Sequence, residues 1–269
     1  MATGPVKAVA AGGYTWSYRE VEGTGVPVLF LHAFPLQKAM WEPVMDRLEG
    51  RAALAVDLPG FGGSRPVPEQ PSMTGYAAGI AAFLDALGLE RVVPCGLSMG
   101  GYLAFALWRG HRERVAGMIL ADTRAGADTP QAREGRLNLI ARLKEEGSRA
   151  ATQSLPGLLG RTTREQRPEL LQELERWVLA NPPEGIAAAS QAMADRPDST
   201  ALLAEIDVPA LVVVGEEDEI SPPAEAEVIA AGLPRAELVR IPGAGHLTAL
   251  EAPDAFAEAV REFLARIEG

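Results

Sequence analysis

The chain has 269 residues, 47% of them hydrophobic, and a formal net charge of −11. This length suits one α/β domain with an insertion, and the acidic balance argues against nucleic acid or an anionic membrane as a partner. No apolar run approaches the ~18 residues of a membrane span, and the N-terminus lacks the charged-then-apolar pattern of a secretory signal. We therefore expect a soluble cytoplasmic protein, and the sequence does not decide between a monomer and a homodimer.

Strand and helix signals alternate through the first half of the chain. Strands at 6–10 and 14–21 flank a Gly-Gly turn, and residues 26–31 form a continuous apolar run typical of a strand buried on both faces. Further strands are predicted at 52–56, 92–97 and 115–121, and helices at 36–48, 75–87 and 102–108. Sustained alternation of this kind predicts a mostly parallel sheet with helices on both faces.

The alternation stops between residues 123 and 196. Thr129 followed by Pro130 indicates the start of a helix that runs to about residue 146. More helices are predicted at 150–159, from Pro168 onwards and at 185–194, before strands resume at 210–214 and 236–241 and a last helix begins near Pro253. A parallel crossover needs only about a dozen residues. The segment is much longer than such a crossover, and the extra residues predict a helical cap (lid) at 123–196, inserted into a core domain formed by 1–122 and 197–269.

The sequence Gly96-x-Ser98-x-Gly100 stands between the apolar run at 92–97 and the following helix. A strand, tight turn and helix is the context in which this motif presents a nucleophile. Glycine at the two flanking positions removes Cβ atoms that would collide where the chains approach closely. The helix also directs free N–H groups and the positive end of its dipole at this point, which favours an anion. We interpret Ser98 as a nucleophile rather than as an idle residue in a glycine-rich turn.

A serine nucleophile needs an adjacent base, and the chain contains three histidines. His246 lies in a glycine-flanked loop after the last predicted strand, whereas His32 follows an early strand directly and His111 lies among charged residues at a helix end. Because ligands meet the carboxyl edge of such sheets, the loop of His246 can face Ser98. His246 is therefore predicted to be the base.

The base needs a carboxylate that fixes its tautomer and stabilises the imidazolium. Asp218 lies in an acidic run that follows the strand at 210–214, and Asp122 ends the strand at 115–121. The order Ser98, Asp218, His246 matches the chain order of hydrolases with this motif. Asp122 remains the alternative acid at this point.

Acyl transfer also needs hydrogen-bond donors for the developing oxyanion, each worth about 10²–10³ in rate. The amide of Met99, directly after the nucleophile, is expected to supply one. The amide of Phe34, in the loop after the strand at 26–31, is expected to supply the other. His32 is then expected to brace this loop.

Five motifs occur in order along the chain: His32-x-Phe34-Pro35, Asp57-x-x-Gly60-x-Gly62-x-Ser64, Gly96-x-Ser98-x-Gly100-Gly101, Gly215-x-x-Asp218 and Gly245-His246. Together they resemble the α/β-hydrolase superfamily, in particular its small capped carboxylesterases and lactonases. The resemblance implies the α/β-hydrolase fold with a cap, and it places the acid at Asp218, three residues after Gly215. The chain departs from the family at Ala33, where glycine is usual. If this position required a positive φ, the oxyanion loop would be strained or differently shaped.

The predicted activity is that of a serine esterase acting on small to medium apolar esters, with no metal or organic cofactor implied. Its acyl pocket is expected to draw on Phe34, Leu36, Trp177 and Leu247, with burial of the cap on the core as the alternative role of Trp177. An enol-lactonase, a carbon–carbon bond hydrolase and a cofactor-free perhydrolase remain alternatives on the same triad, because fold and triad do not determine the substrate. A non-catalytic receptor and a halide-displacing enzyme are disfavoured by the complete set of triad candidates and by the serine at the elbow.

Overall fold

The computed structural model describes residues 4–268. The predicted core domain and the N-terminal segment without a signal pattern extend to residues 1–3 and 269, and those parts of the predictions lie outside the described residues. Within the described range, no helix is long and apolar enough to cross a lipid bilayer.

An eight-stranded sheet forms the centre of the described structure. Its strands are β1 Lys7–Ala11, β2 Tyr14–Val21, β3 Thr24–Leu31, β4 Arg51–Val56, β5 Val93–Leu97, β6 Met118–Ala121, β7 Ala210–Gly215 and β8 Ala236–Ile241. They lie in the order β1-β2-β4-β3-β5-β6-β7-β8, with β2 antiparallel to both neighbours and all other neighbours parallel. The predicted mostly parallel sheet is confirmed.

Helices cover both faces of this sheet, and further helices follow one another between β6 and β7. They are α1 Glu42–Met45, α2 Met73–Ala86, α3 Met99–His111, α4 Pro130–Glu146, α5 Arg149–Thr152, α6 Arg161–Gln166, α7 Glu169–Ala180, α8 Pro183–Ala194, α9 Pro223–Gly232, α10 Thr248–Glu251 and α11 Pro253–Glu268. Helices α2 and α3 pack against each other, and α1, α10 and α11 form a second group. The two groups lie on opposite faces because the crossover from β3 to β4 runs along the sheet in the direction opposite to that from β4 to β5.

Parallel strands bring the ends of distant segments to one edge. Strands β5 and β7 are buried along their whole length, as their continuous apolar runs predict. Ser98 directly follows β5, Asp122 directly follows β6, and Asp218 and His246 lie in the loops after β7 and β8. The candidate catalytic residues therefore share the carboxyl edge of the sheet.

The prediction of one continuous helix over 36–48 is wrong. The segment holds a 3-10 turn, Lys38–Trp41, followed by the one-turn helix α1. Pro43 has no N–H with which to continue a helix from the turn, so the series of helical hydrogen bonds is interrupted there. The predicted apolar face is nevertheless buried: Met40, Trp41, Val44, Met45 and Leu48.

The helix predicted over 150–159 is also interrupted. Helix α5 ends at Thr152, and a 3-10 turn containing Pro156 spans Leu155–Leu158. Helices α6, α9 and α10 are not predicted from the sequence, and the strand predicted from residue 115 begins at Met118. A signal for α9 was present, because its first residue is Pro223 and proline favours the first turn.

Residues 123–196, all of them described, contain α4 to α8 and no strand between β6 and β7. We call this segment the helical insertion. The predicted start of α4 is confirmed, since the hydroxyl of Thr129 accepts from the Ala132 amide (3.2 Å) and Pro130 occupies the first turn.

A buried charge cluster joins the two ends of the helical insertion. The Asp128 carboxylate pairs with Arg136 and with Arg196, each at 2.5 Å. The Arg196 guanidinium also lies 3.9 Å from the ring centre of Tyr102 in α3. These contacts attach the ends of the helical insertion to α3, the helix that follows Ser98.

Candidate active site

Ser98 occupies a strained turn between β5 and α3. Its φ of 56° and ψ of −111° lie in a sparsely populated region that costs a non-glycine residue about 1–3 kcal/mol. A Cβ at Gly96 would lie 2.1 Å from the Gly100 carbonyl oxygen, and one at Gly100 would lie 2.1 Å from the Leu31 carbonyl oxygen. The motif glycines are therefore required by close packing, as the sequence predicts.

The three predicted triad side chains meet in one hydrogen-bonded series. His246 Nε2 lies 2.9 Å from Ser98 Oγ, and His246 Nδ1 lies 2.9 Å from Asp218 Oδ2. The other oxygen of Asp218 accepts from the amides of Ile220 (2.8 Å) and Ser221 (2.9 Å), which orient the carboxylate. Asp218 and His246 are 3% and 2% exposed, so their contact is shielded from water.

Asp122, the alternative acid, makes a different set of contacts. Its carboxylate accepts from the Gly215 amide (3.1 Å) and from the amide (3.1 Å) and hydroxyl (2.5 Å) of Thr248. Burial raises the pKa of Asp122, the nearby Asp218 carboxylate raises it further, and the hydrogen bonds from Thr248 and Gly215 oppose this rise. Asp122 thus ties the start of the Asp218 loop to the residue two positions after His246.

The two amides expected to form an oxyanion hole are free to donate. Within residues 4–268, the structure gives neither the Phe34 amide nor the Met99 amide a hydrogen-bond partner. Met99 is the first residue of α3, where helix amides have no partner within the helix. Ala33, the departure from the family pattern, has no positive φ, so alanine introduces no strain of that kind into the loop.

His32 braces the Phe34 loop, as expected. Its Nε2 accepts from the Leu58 amide (3.1 Å), so the ring proton lies on Nδ1, which donates to the Ala33 carbonyl (3.0 Å). The Ala33 carbonyl and the Phe34 amide belong to one planar trans peptide and point in opposite directions. Holding the carbonyl therefore fixes the direction of the Phe34 N–H.

A model of the α/β hydrolase fold family matches residues 26–253. The match spans most of the chain and includes Ser98, Asp218 and His246. The chain belongs to the α/β hydrolase fold family. The family and fold predicted from the five motifs are thus confirmed.

Relatives within the α/β hydrolase family cover the chain almost completely. A thermophilic esterase from Thermogutta terrifontis, solved with malate bound, is 38% identical with a TM-score of 0.94 over 99% of this chain and 100% of its own. The enol-lactonase from Burkholderia xenovorans is 26% identical with a TM-score of 0.89 over 96% and 100%. A pimeloyl-(acyl-carrier protein) methyl ester esterase from Nitrosomonas europaea is 30% identical over 88% of this chain and 95% of its own length. These similarities confirm the predicted enzyme class, an ester hydrolase.

In this α/β hydrolase a buried ion pair that is not predicted from the sequence anchors the far end of the Phe34 loop. Lys38 Nζ lies 2.6 Å from Asp57 Oδ2, and the Lys38 amide donates to Asp57 Oδ1 (2.8 Å). The Gly63 amide (2.8 Å) and the Ser17 hydroxyl complete the cluster, with Ser17 Oγ 2.9 Å from Lys38 Nζ. No local pattern marks Lys38, because its partner follows a different strand.

The histidine loop is held partly by the helical insertion. The His246 amide donates to the Leu158 carbonyl (3.0 Å). The Glu251 carboxylate accepts from the Leu247 amide (2.9 Å) with one oxygen and from the Gly160 amide (2.8 Å) with the other. No sequence pattern indicates this role of Glu251, since it depends on where the insertion folds back.

Two of the predicted pocket residues do not line a cavity. Leu36 and Leu247 are 0% exposed, because both leucines pack into the apolar core beneath the loops that carry them. This corrects the expectation that they contribute to an acyl pocket. Trp177 is 9% exposed and belongs to the core cluster, which agrees with its alternative role in burying the insertion, and Phe34 is half-buried against the same core.

Burial lowers the pKa of His32 below its ordinary value, because the charged imidazolium is desolvated. As the pH falls below about 6.5, the unfolded chain therefore binds more protons than the folded one. The contribution of His32 to the free energy of unfolding is present above that pH and is lost below it. Glutamine does not titrate in this range. We therefore expect His32→Gln to reduce the loss of unfolding free energy between pH ~6.5 and ~5 by up to about 1.4 kcal/mol per pH unit. Urea unfolding of both proteins across this range measures the difference, and parallel pH profiles would contradict it.

Proposed function

We propose that this α/β hydrolase is a serine esterase that cleaves small to medium apolar carboxylic esters through an acyl-enzyme. The main support is the hydrogen-bonded series from Ser98 through His246 to Asp218, with both contacts at 2.9 Å. A serine hydroxyl is a weak nucleophile at neutral pH unless a base within hydrogen-bonding reach accepts its proton. The series provides that base and a carboxylate that orients it.

In the acylation half of the proposed reaction, Ser98 Oγ attacks the ester carbonyl carbon while His246 Nε2 takes the hydroxyl proton. The carbonyl oxygen becomes an oxyanion and accepts hydrogen bonds from the amides of Phe34 and Met99. When the tetrahedral intermediate collapses, the carbon–oxygen bond to the leaving alkoxide breaks and His246 returns the proton to it. An alcohol leaves, and the acyl group remains as an ester of Ser98.

In the deacylation half, water takes the place of the alcohol. His246 removes a proton from the water, whose oxygen attacks the acyl carbon and forms a second oxyanion in the same place. Collapse breaks the bond to Ser98 Oγ, which recovers its proton from His246, and a carboxylic acid is released. Throughout, Asp218 accepts the hydrogen bond from Nδ1 and stabilises the imidazolium.

We further propose that the helical insertion is a cap (lid) on a core domain formed by residues 1–122 and 197–269. Its contacts with the histidine loop through Leu158 and Gly160 support this role. The preference for apolar esters of small to medium size draws on the apolar, half-buried side chain of Phe34 in the oxyanion loop. A small-molecule ester is accordingly the proposed partner.

An enol-lactonase is the second candidate, favoured by the similarity to the Burkholderia xenovorans enol-lactonase. A lactone is an internal ester, so the same steps apply except that the alcohol stays attached to the product. Fold and triad therefore do not separate the two activities.

A substrate series tests the proposal. The initial rates of p-nitrophenyl acetate, butyrate, hexanoate and octanoate are compared with those of an enol-lactone and with peracid formation. We expect the highest kcat/KM on one of the shorter linear esters, because the proposed pocket is apolar and of limited size. A dominant rate on the lactone would favour the second candidate, and no turnover of either the esters or the lactone would contradict both.

A further inference from the structure

Asn181 belongs to the helical insertion, yet its side chain lies against two loops of the core. It directly follows α7 and is 2% exposed. Within the insertion, its backbone carbonyl accepts from the Ser148 hydroxyl (2.5 Å) and its amide donates to the Val178 carbonyl (3.1 Å). These bonds hold the backbone of Asn181 independently of the contacts that its side chain makes with the core.

The side chain of Asn181 bonds to three backbone groups of the core, two of them buried and one partly buried. Nδ2 donates to the carbonyls of Pro35 (2.9 Å) and Leu36 (3.2 Å), and Oδ1 accepts from the Gly62 amide (2.8 Å). Two acceptors facing one atom and a donor facing the other define the orientation of the amide. Without this side chain, the carbonyls of Pro35 and Leu36 would lose a partner in a buried position, which proteins rarely tolerate, and the partly buried Gly62 amide would lose one as well.

The two carbonyls that Asn181 contacts belong to the loop that carries the Phe34 amide. Before Phe34, His32 holds the Ala33 carbonyl (3.0 Å), and after it the Lys38 amide is bonded to a buried carboxylate (2.8 Å). Asn181 acts between these two anchors, on the two residues that directly follow Phe34. Through these two hydrogen bonds the helical insertion contacts this loop.

We infer that Asn181 is a positioning residue for the oxyanion hole. It holds the loop that directs the Phe34 amide and touches no reacting atom itself. The inference rests on the proposed function, because only an acyl-transfer reaction forms the oxyanion that this amide would bind. A donor must be held in place before the reaction to be worth its usual 10²–10³ in rate, and a displacement of ~1 Å costs about 10². The helical insertion therefore contributes to the chemical step as well as to enclosure of the substrate.

Asn181→Leu tests this role, since leucine has nearly the same size and makes none of the three hydrogen bonds. Well below the melting temperature, we expect kcat to fall about 10–100-fold while KM changes by less than about threefold. The inhibition constant of a trifluoromethyl ketone should rise by the factor by which kcat/KM falls. Its adduct with serine carries an oxyanion, so it reports the same stabilisation as the transition state.

Two further variants separate positioning from folding. At a pH of about 8, the carboxylate of Asn181→Asp keeps the acceptor facing Gly62 but cannot donate to the loop carbonyls, so the same losses are expected. This variant also serves if Asn181→Leu does not fold.

Ser148→Ala is the matched control, because it removes a bond to the Asn181 backbone without altering the loop. Its melting temperature should fall, with kcat and the inhibition constant unchanged.

A lower melting temperature with unchanged kcat and inhibition constant in the folded Asn181 variants would overturn the inference and assign Asn181 a purely structural role. An equal loss of kcat in Ser148→Ala would also overturn it, because any weakening of the insertion would then suffice. Failure of the proposed function looks different. In that case the wild-type protein itself neither turns over esters nor binds the trifluoromethyl ketone.

Discussion

Replacement of Ser98 by alanine is expected to lower kcat for p-nitrophenyl ester hydrolysis by about 10⁶-fold, the size of effect seen when the nucleophile of a serine hydrolase is removed. The hydroxyl makes its side-chain hydrogen bond to His246 and to no other described residue, and the Cβ and backbone remain in place. The melting temperature should therefore stay close to that of the wild type. Steady-state rates and a thermal unfolding curve measured on the same preparation test both parts.

Removal of His246 provides the internal control for this prediction. Because the two residues act as a unit, Ser98→Ala, His246→Ala and the double variant should be reduced by similar factors rather than by the product of two factors. Additive losses would mean that the hydroxyl and the imidazole act in separate steps. Substantial turnover by Ser98→Ala would remove the serine from the mechanism.

Asp218→Asn is expected to lower kcat by about 10⁴-fold while leaving the geometry of the site intact. The amide nitrogen of asparagine would donate to His246 Nδ1, which leaves the ring proton on Nε2 facing Ser98. The imidazole then cannot accept the hydroxyl proton. The measurement is kcat across the neutral pH range, with near-normal activity as the contradicting result.

Asp122→Asn is the matched comparison for Asp218→Asn. Both aspartates are buried and lie along the same sheet edge, but the Asp122 carboxylate bonds to Gly215 and Thr248 and not to His246. We expect its effect on kcat to be far smaller and its effect on the melting temperature to be the larger of the two. The reverse order of kcat losses would transfer the acid role to Asp122.

The catalytic candidates could be predicted from sequence because each is marked by its position relative to a strand. Ser98 is flanked by glycines that close packing requires, and His246 lies in a glycine-flanked loop after the last strand. A parallel sheet brings such strand ends together, so chain order and strand boundaries suffice to propose a common site. The choice between Asp122 and Asp218 needed the family resemblance, and the hydrogen bond between His246 Nδ1 and Asp218 now favours Asp218.

The residues that support the site carried no local signal. Asn181, Lys38 and Glu251 each bond to a partner that is distant in the chain, and these contacts depend on how the helical insertion and the early loops fold back onto the core. The pocket predictions failed for a related reason. Leu36 and Leu247 lie next to catalytic loops in sequence, but their side chains point into the core, and adjacency in the chain does not indicate the direction of a side chain.

Active-site labelling tests most directly whether Ser98 is an activated nucleophile. A fluorophosphonate reacts with a serine whose proton is taken by a neighbouring base and releases fluoride as it forms the phosphonyl ester. Intact mass and peptide mapping should show one adduct per chain, located on Ser98, in step with the loss of esterase activity and absent from Ser98→Ala. An adduct on another residue, or full esterase activity in a protein that remains unlabelled, would contradict the proposed mechanism.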